Sequence, residues 1–169
     1  FRMRLSSMLG PSLDEEKLLL HDSKWYQDRG VQVLLQNPAK SIDTIKQKVY
    51  LKEGELSYSK LLLAQGSYAF IPPIPGTDIP QVFTFRKLED LKRLQNFIQE
   101  KDHGTIVGGG VLGLELAWAL AQQGQKVSVI EGAPFILSRQ INEIGSELLT
   151  TLGTGAGIEF LVPEQLQEI

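Results

Sequence analysis

The sequence predicts an α/β fold, in which a parallel sheet flanked by helices is combined with a small antiparallel β-meander. Three observations lead there. An apolar run ending at Val107 enters Gly108-Gly-Gly110-Val-Leu-Gly113, a helix-patterned stretch follows from Val111 to Gln123, and a second apolar run spans Val127 to Ile130. Strand, turn, helix and strand in that order make a parallel βαβ unit. Ser41 to Ile45 and Lys48 to Leu51 alternate with period two and meet the turn signal Lys52-Glu-Gly54-Glu, as neighbouring antiparallel strands do. Finally, Ile71-Pro-Pro-Ile-Pro75-Gly76, with Pro80 beyond it, imposes extended non-helical backbone and marks a boundary between residues 1–80 and 81–169.

The remaining elements follow in chain order. Leu5 to Leu9 reads as helical. Leu13 to Arg29 reads as a longer helix, with Ser12 as N-cap, Glu15 completing a capping box and Gly30 as the stop. Val31 to Leu35 is apolar and β-branched enough for a strand. Ser57 to Ala64, ending in Leu61-Leu-Leu63, has the continuous apolar character of a strand buried on both faces. Beyond the prolines, Leu88, Leu91, Leu94, Phe97 and Ile98 recur at helical spacing within Lys87 to Gln99, and Lys101-Asp-His-Gly104 breaks that helix. A helix from about Asn142 to Leu152 leads through Gly153-Thr-Gly155-Ala-Gly157 to a last strand, Ile158 to Val162.

Composition narrows the classes of function. In 169 residues, an apolar share of 42% supports a core, and 22% charged residues is ordinary for a water-soluble chain. The net charge is −3 and basic residues are scattered, so no nucleic-acid footprint is expected. There is no cysteine, which excludes disulfides, thiolate metal sites and a CxxC redox pair; any electron transfer needs a bound cofactor. No apolar run approaches the roughly 20 residues of a membrane span, so no membrane partner is expected. The expected compartment is the cytoplasm. The chain begins at Phe1 and stops soon after a strand pattern, which together read as an internal fragment.

The glycine motif carries the chemistry. Gly108-x-Gly110-x-x-Gly113 after a strand, followed by a helix, a second strand and the terminal acid Glu131, is the arrangement of a dinucleotide-binding unit. Gly108 allows the tight turn, Gly110 lets a pyrophosphate approach the backbone, and Gly113 lets helix and strand pack closely. Val111 and Leu112 open the helix, whose N-terminal N–H groups and dipole favour an anion. Glu131 is placed to accept hydrogen bonds from ribose hydroxyls and to repel a 2′-phosphate, and Gly132 offers no arginine to receive one, so NADH is expected rather than NADPH. The plainer reading of Glu131 is a solvated acid at a strand end.

Three stretches, in order and spacing, resemble the pyridine nucleotide–disulfide oxidoreductase superfamily, closest to its branch without redox cysteines: nitrite reductase flavoprotein, rubredoxin reductase and ferredoxin reductase. They are Arg4-Leu-Ser-Ser-Met-Leu-Gly10; Tyr58-Ser-Lys-Leu-Leu-Leu-Ala-Gln-Gly-Ser67 running into the proline joint; and Val82-Phe-Thr-Phe-Arg-Lys-Leu-Glu-Asp90 with the glycine motif and Pro134-Phe-Ile-Leu-Ser-Arg139-Gln. The resemblance implies two partial FAD/NAD(P)-binding Rossmann-like domains, three-layered. Residues 1–80 would be the later part of an FAD domain with its meander, and residues 81–169 a truncated NAD domain. It also implies passage of a hydride from NADH to FAD and of electrons onward to an acceptor protein, domain or metal centre, in a complete protein able to form a homodimer. The chain alone is expected to be inactive. Departures from the family pattern are Gln65 within Ala64-Gln65-Gly66, Ser7 where a lysine is common, Asn142 in place of an aspartate, and the glycine-rich Gly153–Gly157.

By the same resemblance, Ser7, Ala64, Gly66 and Arg86 lie on the FAD side, and Glu115 faces the contact between nicotinamide and flavin. Each has a plainer alternative. Glu115 is an acid near a helix N-terminus, Arg86 a helix-entry arginine, Ala64 and Gly66 a strand end and its turn, and Ser6 or Ser7 a helix cap. His21 and His103 lack partners at metal spacing and read as surface residues, His103 in a turn. Trp25, Tyr26 and Trp118 read as helix faces packed on a sheet. A rival of another class stays open: a non-catalytic module that keeps the nucleotide-binding fold.

Overall fold

The computed structural model describes residues 5–9, 15–98 and 103–169. They form two compact units, one made of residues up to Leu18 together with Ala69 to Ile169, the other of Leu19 to Tyr68.

In the larger unit, β4 (His103–Val107), β5 (Lys126–Ile130) and β6 (Ile158–Leu161) form a parallel sheet in chain order. The labels β1 to β3 belong to the smaller unit. β5 is central: Val127 and Val129 are fully buried between neighbours, beside Ile106 of β4 and Ile158 of β6. Helix α3 (Val111–Ala121) crosses from β4 to β5 and buries Ala117 and Leu120 at helical spacing. Its end is closed by bonds from Gly124 N–H to Ala121 O and Gln125 N–H to Leu120 O, with Gly124 at φ +79, a Schellman arrangement.

Helix α4 (Glu143–Gly155) links β5 to β6. Asn142 caps it, its side-chain oxygen accepting from Gly145 N–H at 3.0 Å. Asn142 thus supplies the cap itself, asparagine being as good a helix cap as aspartate. The glycine-rich run was expected to follow this helix, but the helix continues through Gly155. The reason is packing: a β-carbon on Gly153 would meet the Phe160 ring at 2.7 Å, so glycine lets α4 lie against β6.

Helix α2 (Leu88–Ile98) forms where periodicity predicts it. Asp90 reaches back to accept from the N–H groups of Arg86 and Lys87, at 2.9 and 2.8 Å, satisfying donors that the first turn leaves unpaired. Leu91 is wholly buried and Leu94 nearly so, facing the core with Leu5 and Leu9. Burial of a leucine of this kind is worth about 1.5–3 kcal/mol.

The smaller unit contains the antiparallel meander of β1 (Ala39–Asp43), β2 (Lys48–Leu51) and β3 (Glu55–Ser57). Asp43 ends β1 by accepting from Ile45 and Lys46 N–H, and Gly54, at φ +85, makes the turn from β2 to β3. Lys48 pairs with Glu55 across the β2–β3 pair. That contact, a hydrogen bond plus attraction to the carboxylate, holds the Lys48 ammonium above its usual value of 10.5.

Several expected elements differ. Val31 to Leu35 and Ser57 to Ala64 were expected as strands but run as irregular backbone apart from Ser57, with Leu35, Leu62 and Leu63 strongly exposed. Apolar content alone does not make a strand. The ladder bonds need a partner, and among the described residues no strand pairs with Val31 to Leu35 or with the second run beyond Tyr58. The expected helix from Leu13 to Arg29 is split into a 3₁₀ turn at Glu15–Leu18 and the short α1 (Ser23–Gln27), because Asp22 in extended conformation caps a new start at Trp25 N–H. Ser12 and the Glu15 side chain fall outside the described residues. Leu5 to Leu9 is helical as expected, in the form of a 3₁₀ turn at Ser6–Met8.

Candidate functional site: a glycine turn at the sheet edge

The C-terminal ends of β4 and β5 carry the site. The Gly108 N–H donates to Ile130 O at 2.8 Å, extending the pairing by one residue before the chain turns away with Gly108 at φ +113, a conformation closed to most side chains. Gly110 then takes extended backbone (φ −80, ψ 177) as the N-cap of α3. It has no side chain to cap with, so the N–H groups of the first turn have no side-chain partner at the cap. A β-carbon on Gly110 would meet nothing within 4 Å, so this glycine leaves room that the fold does not use. At Gly113 the opposite holds, because a β-carbon there would be driven into the Gly108 carbonyl. Val111 and Leu112 open the helix with about half their surface exposed.

Glu131 directly follows β5. One carboxylate oxygen accepts from Gly109 N–H at 2.7 Å and the other from Ala133 N–H at 2.7 Å. The carboxylate thus sits against the glycine turn, fixed by two backbone donors. Beside it, a β-carbon on Gly132 would come into contact with Gln165, whose Cγ would lie 3.4 Å away. An open glycine turn, a helix N-terminus and a neighbouring carboxylate fit the pyrophosphate and ribose of a dinucleotide.

Glu115 lies in the second turn of α3, beyond the first turn where an acid chiefly steadies the helix dipole. It accepts instead from Ser6 Oγ at 3.4 Å, and the N-cap of the 3₁₀ turn that follows is Leu5 rather than a serine. Leu5, Ser6, Phe85, Leu112 and Glu115 line a small pocket of about 10 Å³, room for about one water molecule. Arg86 stands at the entry to α2. The Ser7 side chain falls outside the described residues. Ala64 and Gly66, the latter at φ +74, belong to irregular backbone of the smaller unit. The structure thus brings together Gly108, Gly110, Val111, Leu112, Gly113, Glu115 and Glu131, and leaves Ala64 and Gly66 in the other unit.

Sequence reasoning missed Gly109, where a β-carbon would lie 2.9 Å from Ile136 Cγ2 and 3.1 Å from Glu131 Cβ. The third glycine of the Gly108–Gly110 run was the available signal. His103 is corrected: it begins β4 rather than lying in a turn, and its Nε2 is 3.0 Å from the buried Ser128 Oγ, which donates to Glu159 at 2.6 Å. This trio sits toward the start of the strands, away from the glycine turn. Trp118 is also corrected. It is 49% exposed on an apolar groove shared with Leu114, Leu149, Leu152 and Phe160 rather than packed on the sheet. Trp25 stacks on His21 at 3.8 Å and under Arg29, on a helix that buries no residue. Among the described residues no group of three metal-ligating side chains occurs, and no helix is long and apolar enough to cross a membrane.

Comparison with known proteins bears on the family and the fold. The Escherichia coli nitrite reductase (NADH) large subunit is 34% identical over 169 residues, covering 99% of this chain and 20% of that protein. The NADH-rubredoxin oxidoreductase of Clostridium acetobutylicum is 28% identical over 170 residues, which is 44% of its length. The crystal structure of a ferredoxin reductase from Rhodopseudomonas palustris superposes with a TM-score of 0.92 at 28% identity, over 99% of this chain and 42% of that one. The chain thus spans about a fifth of the length of the nitrite reductases it matches. The family described as pyridine nucleotide-disulphide oxidoreductase matches residues 2–169, and the chain belongs to that family.

Proposed function

We propose that this chain is the nucleotide-receiving segment of an FAD-dependent NADH oxidoreductase, with residues 1–80 on the FAD side and 81–169 forming the NADH side. The observation that carries the reading is the Gly108–Gly113 turn with Glu131 against it. Gly110 leaves space for a pyrophosphate, the first turn of α3 offers N–H donors, and the Glu131 carboxylate is placed for ribose hydroxyls. Bound there, NADH would supply a hydride and FAD would provide its acceptor and the route for electrons onward.

The chain's own residues bind, orient and exclude. Glu131 and Gly132 favour NADH over NADPH by offering a carboxylate and no cation to a 2′-phosphate. Glu115, tied to Ser6, is the residue proposed to face the nicotinamide–flavin contact, as the resemblance implies. Ser7, Ala64, Gly66 and Arg86 remain the proposed FAD-side residues. The acceptor is a protein or a metal centre, in keeping with relatives named for nitrite and rubredoxin and with a neighbour solved as a putidaredoxin reductase–putidaredoxin complex. A homodimer and a cytoplasmic setting belong to the same proposal.

The test is titration of NADH into the purified longer protein that carries this segment, with its flavin absorbance recorded. Saturable NADH binding and a flavin spectrum bleached by NADH support the reading. Absence of both leaves the non-catalytic module.

A further inference from the structure

We propose that residues 131–137 act as a clamp that presets the glycine turn, with Ile136 and Leu137 as positioning residues for the nucleotide; this rests on the nucleotide reading above. Both polar backbone groups of Gly109 are engaged by this one segment. Its N–H donates to Glu131 at 2.7 Å, and its carbonyl accepts from Leu137 N–H at 2.9 Å. The two peptide units that flank Gly109 are therefore each tied to this segment by a hydrogen bond.

Packing fixes the third direction. Ile136 is 1% exposed, and its Cγ2 lies only 2.9 Å from where a β-carbon on Gly109 would stand, so nothing larger than glycine fits there unmoved. Leu137 makes this possible with φ +53, a left-handed conformation that a leucine rarely adopts. Its carbonyl in turn accepts from Gln140 N–H at 2.8 Å and Ile141 N–H at 3.1 Å, one residue before the Asn142 cap of α4. The glycine turn is thus tied through Leu137 to the start of a second helix. A turn already held in its binding geometry loses less freedom when the ligand arrives, which strengthens binding without a direct contact.

The experiment is NADH titration of the full-length protein carrying this segment, as wild type and as variants. Gly109→Ala, which forces Ile136 and Glu131 outward, is expected to weaken NADH binding about tenfold or more, and Gly109→Ala with Ile136→Ala to recover part of that loss. A second pair leaves the buried side chains intact. Leu137→Asn, which tolerates positive φ, should stay within about twofold of wild type, whereas Leu137→Gly, which frees the backbone, should weaken binding several-fold. A merely structural role would not produce the recovery or separate Asn from Gly. The clamp is overturned if wild type binds NADH and Gly109→Ala binds equally well, if the double variant is no better than Gly109→Ala, or if Leu137→Gly matches wild type. Wild type that binds no NADH overturns the nucleotide reading, and the clamp with it.

Discussion

Gly113 on α3 rests directly on the carbonyl of Gly108 at the end of β4, leaving no room for even one carbon between them. Gly113→Ala should therefore push the helix off the strand. The cost of such overpacking is about 1–3 kcal/mol, to be read as a lowered denaturation midpoint, with NADH affinity falling alongside. Equal stability of variant and wild type would show that the helix can slide without penalty.

Gly110 separates binding from folding. Its backbone is extended and its β-carbon position is empty, so Gly110→Val should leave the circular dichroism spectrum and melting temperature close to wild type. NADH affinity should fall at least about tenfold, because the side chain fills the space left for the pyrophosphate. A variant that binds NADH normally would move the phosphate site elsewhere.

Glu131 has two backbone donors to satisfy as well as a ribose to receive. Glu131→Ala leaves the Gly109 and Ala133 N–H groups without their charged acceptor, a loss of about 1.5–3 kcal/mol for each such bond that water does not replace. Combined with Gly132→Arg, whose β-carbon would touch the Gln165 side chain, it should shift preference from NADH toward NADPH, measured as the ratio of the two dissociation constants.

The smaller unit should respond to alkali through Lys48. Its raised value means that the pairing with Glu55 is fully present below the ordinary 10.5 and is lost as pH climbs through the higher folded value. Amide-exchange protection in β2 and β3, after correction for the intrinsic rate, should drop above about pH 10.5. Glu55→Gln should remove that pH dependence.

Sequence legibility followed where the hydrogen bonds are closed. The βαβ unit, α2 and the meander were legible because each contains its own partners: α2 shows its buried face at Leu91 and Leu94, and β1 and β2 pair across a short turn. Val31 to Leu35 and Leu61 to Leu63 misled because strand propensity says nothing about whether a partner strand lies alongside. At the site, the glycine spacing revealed Gly108, Gly110 and Gly113. Ile136 and Leu137 gave no warning, since a buried isoleucine and a left-handed leucine look like any apolar pair. The Ser6–Glu115 bond joins residues 109 positions apart and has no local signature.

The chain-order arrangement of β4, β5 and β6 bears on how this unit assembles. Each parallel pairing joins consecutive strands, so loop closure stays local and its entropic cost modest. Parallel sheets that must wait for distant strands form slowly. This one can add β5 to β4 and then β6 to β5 in the order in which a ribosome delivers them.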